Sequence, residues 1–151
     1  MNRSKHQKSA DYLSLMELGQ NSDFELTGSE AGFIQKIHAI RNKCLRDFTA
    51  DEIRVCLAQD IGTSYLLPKA LDLLEHNPWI EAEHYEGDLL NVCIDVEGEC
   101  WNILKTARSR MLKILGAAND LIKEGLFTAG RQEIRDLERG FRRFGIGAEQ
   151  E

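Results

Sequence analysis

The chain has 151 residues and a formal charge of −6, from 19 lysines and arginines against 25 aspartates and glutamates, which opposes a phosphate backbone and disfavours a primary nucleic-acid binder. Hydrophobic residues make up 42% and charged residues 29%, with only two prolines; this suffices for one folded domain and excludes disorder by composition. No run of apolar residues reaches transmembrane length, and the stretch Tyr12–Leu18 is broken by Ser14 and Glu17, so no secretory core is expected and the cytoplasm is the default address.

In chain order, Thr27 and Glu30 stand at capping-box spacing. Phe33, Ile34, Ile37 and Ile40 then recur on one helical face, which predicts a helix over about 29–43. Thr49-Ala-Asp-Glu52 is a second capping box, followed by Ile53, Val55, Cys56 and Leu57 before a break at Gly62. Asp51 and Glu52 fall in the first turn, where the positive end of the helix dipole favours them. Thr63 or Ser64 opens the next helix, with Pro68 expected in or near its first turn. Leu66, Leu67, Ala70, Leu71, Leu73 and Leu74 make that helix apolar round most of its circumference, so it should be central. Asn77-Pro78 stops it.

Trp79 to Gly87 reads as a polar connection carrying aromatic residues, and Asp88 to Ile94 as a short buried helix or, on periodicity alone, a strand. Trp101, Leu104, Arg108, Met111, Leu115, Ala118 and Ile122 then predict one helix from about Glu99 to Glu124, roughly 37 Å long, ended by Gly125. Thr128 is placed to cap a last helix with a thin stripe of Ile134, Leu137 and Phe141 among arginines. Glu133, Asp136 and Glu138 interleave with those arginines, which suggests a self-paired, solvated helix. Residues 145–151 should fray. No hairpin dipeptide or repeat appears. The expected fold is all-α, a single-domain bundle of about six helices: an N-terminal extension over 1–22, a helical core over 23–125, and a basic C-terminal helix and tail over 126–151 packed on the same domain.

The net charge conceals an asymmetry. Residues 70–104 hold Asp72, Glu75, Glu81, Glu83, Glu86, Asp88, Asp95, Glu97 and Glu99 and no lysine or arginine. Such a stretch is either a solvated face or a docking surface for a basic partner, whose encounter it would speed. Trp79 and Tyr85 beside these acids read as loop anchors set into the core; exposed, they would instead be interface anchors.

Motifs for chemistry are absent. There is no GxSxG, CxxC, HExxH or glycine-rich phosphate loop. Glu81-Ala-Glu83-His84 comes nearest to a helical carboxylate metal motif but has no second copy. Cys44, Cys56, Cys93 and Cys100 lack metal spacing and read as reduced structural thiols; a zinc site from His76, His84, Cys93 and Cys100 has no support. His38 lies one residue off its helix stripe and reads as a boundary histidine. No catalytic residue, metal or cofactor is expected.

Five short blocks carry a family likeness: Leu45-Arg-Asp-Phe-Thr-Ala-Asp-Glu-Ile-Arg54, Ala58-Gln-Asp-Ile-Gly62, Tyr65-Leu-Leu-Pro-Lys-Ala-Leu71, Glu75-His-Asn-Pro78 and Tyr85-Glu-Gly-Asp-Leu-Leu90. In this order and spacing, over about 45–94, the chain resembles the immunity proteins of contact-dependent growth inhibition (CDI) systems. It departs from their pattern at Thr63-Ser64, where a Leu-Glu pair is usual, and at Lys69 and Trp79, where leucine is. The resemblance implies a non-enzymatic inhibitor that stays in the cytoplasm, binds the C-terminal toxin domain of a cognate exported effector, and protects the producing cell. It also implies that Gly62, Gly87, Pro68, Pro78 and the shared leucines are scaffold, leaving specificity elsewhere. Many such toxins are basic nucleases, so the acid-only stretch supplies the candidate toxin-binding residues: Glu81, Glu83, Tyr85, Glu86, Asp88, Asp95, Glu97 and Glu99. Neither nucleic acid nor membrane is expected as a direct partner. The alternative is a helical adaptor or regulator with an acidic docking face; an enzyme using a carboxylate with His84 is the least favoured reading.

Overall fold

The computed structural model describes residues 10, 11, 13–19 and 31–145, without the side chains of residues 31, 33 and 34. Among the described residues the chain forms α1 (Ala31–Arg41), α2 (Ala50–Ala58), α3 (Thr63–His76), α4 (Asp88–Ile94), α5 (Gly98–Ile103), α6 (Ala107–Lys123) and α7 (Arg131–Phe144), with one 3₁₀ turn at Leu45–Asp47. The only β-type pairings among them are isolated bridges between Ser14 and Cys44 and between Glu81 and Glu86. The protein is all-α. The run Asp88–Ile94, open between helix and strand on periodicity, is helical.

The expected centre is the observed one. Leu66, Leu67, Ala70, Leu71 and Leu74 are at most 1% exposed, and α3 packs against α2, α4 and α6. Around it, α2 also meets α4, and α7 lies along α6 and α4. Pro68 is the sixth residue of α3 and lies early in its second turn, near the first as expected. Its missing N–H leaves the carbonyl of Ser64 without the usual partner, and Ser64 is exposed, so water can take that place. Asn77 ends the helix in extended backbone, as the following proline requires.

Several local signals hold. The carboxylate of Glu52 accepts from the backbone N–H of Thr49 at 2.9 Å, the reverse arm of the capping box. Gly125 ends α6 with Leu126 N–H donating to Leu121 O and Gly125 N–H to Ile122 O, a Schellman motif. The first capping box, Thr27–Glu30, lies outside the described residues, as do residues 146–151. Ile37 and Ile40 of the α1 stripe are buried.

Three expectations are corrected. The long helix over Glu99–Glu124 is two helices, because Leu104 leaves helical geometry (ψ 95°). Trp101 and Ala107 are both buried, yet six residues apart they would point about 120° away from each other on one continuous helix. The break re-aims α6 so that both reach the core. Second, α7 is capped at Gly130, whose N–H donates to Glu133 Oε2 at 3.1 Å, and Thr128 lies outside the helix. Third, Ile134 is 45% exposed, and the buried face of α7 is Asp136, Leu137, Gly140 and Phe144. Phe144 meets Trp101 edge-on, with ring centroids 4.6 Å apart.

Before α1, Leu15 is fully buried. Gly62, at φ +61°, makes room for it: a Cβ there would lie 2.4 Å from Leu15 Cδ2. Leu45 N–H donates to Leu13 O at 3.0 Å, and Met16 N–H to Arg41 O at 3.2 Å. The segment 13–19 is thus sewn to the end of α1 and the turn that follows.

Candidate functional site

The acid-only stretch begins on α3, crosses the loop from Trp79 to Gly87, and runs through α4 and α5. Trp79 fixes the start of the loop. It is buried, its Nε1–H donates to Ala118 O at 3.0 Å, and its ring stacks on Phe127 with centroids 4.3 Å apart. Tyr85 is the exposed aromatic residue, at 37%, and its hydroxyl accepts from Asn91 Nδ2 at 2.8 Å. Of the two aromatic residues read as core anchors, therefore, Trp79 is one and Tyr85 faces outward.

Asp88 organises the loop from inside. It is 1% exposed, and its carboxylate accepts from the backbone N–H groups of Ala82, Glu83 and His84 at 2.7, 2.9 and 2.8 Å. Burial pushes its carboxyl up, but those N–H groups, together with that of Tyr85, outweigh it and hold the group below the usual carboxylate range. Arg54 of α2 adds its Nε at 3.8 Å from Asp88 and donates from Nη2 to Glu83 at 3.0 Å. Lys36 of α1 reaches Glu83 at 3.4 Å. The hydrogen bond from Arg54, with the charge of Lys36, holds the carboxyl of Glu83 below its ordinary value.

Other acids of the stretch meet cations from distant segments. Arg110 of α6 grips Glu75 at 3.1 and 2.6 Å and Asp72 at 2.6 Å. Arg139 of α7 binds Asp95 at 3.1 and 3.3 Å, Asn91 at 2.5 Å and Asp136 at 3.0 Å. Arg143 donates to Ile94 O at the end of α4. The arginines of α7 thus pair partly within their own helix, as the interleaved acids suggest, and partly across to α4, which spacing along one helix does not reveal.

What remains both exposed and unpaired is a smaller set. Glu81, Glu86, Glu97 and Glu99 are exposed and have no ion pair among the described residues. Glu81 and Glu86 face each other across the loop through a backbone bridge. Glu97 and Glu99 flank the start of α5, where with Asp60 of the α2–α3 turn they push the Cys100 thiol up, after burial itself. Of the eight candidates, Asp88 lies in the interior, Glu83 and Asp95 are tied by arginines, and Glu81, Tyr85, Glu86, Glu97 and Glu99 are presented to solvent. Nothing in the spacing singles out Arg54, Asn91 or Arg139 as partners, since they meet their acids or loop only through the fold.

The thiols of Cys56 and Cys93 are each pushed up to about 12, in both cases chiefly by burial, which leaves them unreactive. Among the described residues no three histidines, cysteines or carboxylates are placed to hold a metal ion, and no helix is long and apolar enough to cross a membrane. The arrangement offers charge and shape for contact. Residues 20–111 match the family model of CDI immunity proteins. No curated protein matches the chain, and no solved structure matches it.

Proposed function

The chain belongs to the CDI immunity proteins and so serves in immunity against a CDI toxin; from this premise we propose that it works by direct, non-enzymatic binding to the C-terminal toxin domain of its cognate effector, in the cytoplasm, and that this toxin is a nuclease with a basic surface. The observation that carries the proposal is the set of exposed glutamates, Glu81, Glu86, Glu97 and Glu99, left without ion pairs among the described residues in a stretch that holds no lysine or arginine. A nuclease must present cations to a phosphate backbone, and an acidic face competes for that same surface. Tyr85, held by Asn91 on the loop between Glu81 and Glu86, supplies an aromatic contact among the acids.

Co-expression with the toxin domain tests this. The wild-type chain is expected to restore growth and co-purify with the toxin. Reversal of all four glutamates to lysine, at exposed positions that leave the fold intact, is expected to abolish both. Full protection by the reversed variant would move the interface elsewhere, and rescue without co-purification would point away from direct binding.

A further inference from the structure

A groove of about 220 Å³ runs between the end of α2 and the outer side of α4, lined by Leu57, Ala58, Asn91, Val92, Asp95 and Val96. Its floor is aliphatic and its lip is polar. Asn91 on α4 and Asp95, which caps its C-terminal end, stand one turn apart, so both face the same edge. Asn91 also holds the hydroxyl of Tyr85, and Glu97 follows Val96 directly. The groove is thereby joined to the loop of Glu81 and Glu86 by the Asn91–Tyr85 bond, and to Glu97 by the chain itself.

The geometry points to this groove as the seat of an arginine side chain from the toxin. This rests on the reading that the acidic face binds a basic toxin, and it names the anchor within that face. An arginine carries a methylene stem that favours apolar walls and a planar fork that pairs with a carboxylate. Leu57, Val92 and Val96 offer the walls, and Asp95 offers the carboxylate. The molecule already demonstrates the pairing, since Arg139 binds both Asp95 and Asn91. A carboxylate has about four acceptor sites; Arg139 takes two of them, and the Asp95 side chain stays 64% exposed. A second guanidinium can share it. A carboxylate on the toxin would meet Asp95 and Glu97 as like charges, whereas a long cation meets the free acceptor positions of Asp95 with its fork and the aliphatic walls with its stem, so the groove favours a long cation.

Titration calorimetry of the full chain with the purified C-terminal domain of its cognate effector tests the assignment. Ala58 is an exposed groove residue, and Ala58→Trp is expected to weaken binding roughly tenfold or more with an unchanged melting temperature. Ala58→Arg, a good helix former that supplies a competing cation in cis, is expected to act in the same direction. An arginine-to-alanine scan of the toxin is expected to find one arginine whose loss weakens binding to the wild type yet has no further effect on Ala58→Trp. If both Ala58 variants bind as the wild type does, or if no toxin arginine loses its effect in the Ala58→Trp background, the groove is not the anchor. Intact binding by the Ala58 variants with weakened binding by the four-glutamate reversal overturns the groove alone. Undiminished binding by all of them, or no binding by the wild type, overturns the acidic-face reading as well.

Discussion

Asp88 occupies the first position of α4 and turns its carboxylate back onto the loop before it, where three amide N–H groups lie within 2.9 Å. The loop is thereby ordered before any partner arrives, which lowers the entropy cost of recognition by Glu81, Tyr85 and Glu86. Because the folded-state carboxyl is held below the unfolded value of about 3.9, its stabilisation is complete above that value and is lost as pH falls through the folded-state value. Asp88→Asn keeps one acceptor but replaces the other with a donor. It is expected to cost about 1–3 kcal/mol in urea unfolding at neutral pH and to speed amide exchange across 81–85. The gap from wild type should close on acidification below about pH 3.9; a gap that stays constant would mean the carboxylate charge plays no part. Asp88 stands in the sequence as one more acid in a run. Charge is visible there, but burial is not, so its inward place was illegible and nothing in the run set it apart from the exposed Glu81 and Glu86.

At the scale of helices, the signals that come from a few adjacent residues were legible. The Thr49–Glu52 box, the Asn77-Pro78 stop and the Gly125 terminus depend on local hydrogen bonding and local sterics. The break between α5 and α6 carries neither glycine nor proline at Leu104-Lys105-Thr106; it exists because Trp101 and Ala107 must both be buried. The same holds for α7. Its packing on α6 depends on Gly140, where a Cβ would lie 2.7 Å from Leu115 Cδ2 and 3.3 Å from Ile94 Cδ1. Gly140→Val is expected to destabilise by about 1–3 kcal/mol through overpacking, measured by urea denaturation. A neutral or stabilising result would show that the two helices can part there without loss.

Across the whole molecule, charge is sorted by the fold. Arg54, Lys36, Arg110 and Arg139, all from outside the acid-only stretch, gather Glu83, Asp72, Glu75 and Asp95, and four glutamates are left to project a negative field. The association rate with the toxin is expected to fall steeply as salt is raised for the wild type and to be slower and nearly salt-independent for the four-glutamate reversal, in stopped-flow measurements. A salt-independent wild-type rate would remove electrostatic steering from the picture. The sequence by itself determined the helical class, the central place of α3, the family and the existence of an acidic stretch, because apolar periodicity, caps, motif order and residue charge are all written along the chain. Only the tertiary structure decided which acids are paired across the fold and which are left unpaired among the described residues, since the cations from α1, α2, α6 and α7 reach their acids across 29 to 47 residues, a distance over which local sequence carries no record of who meets whom.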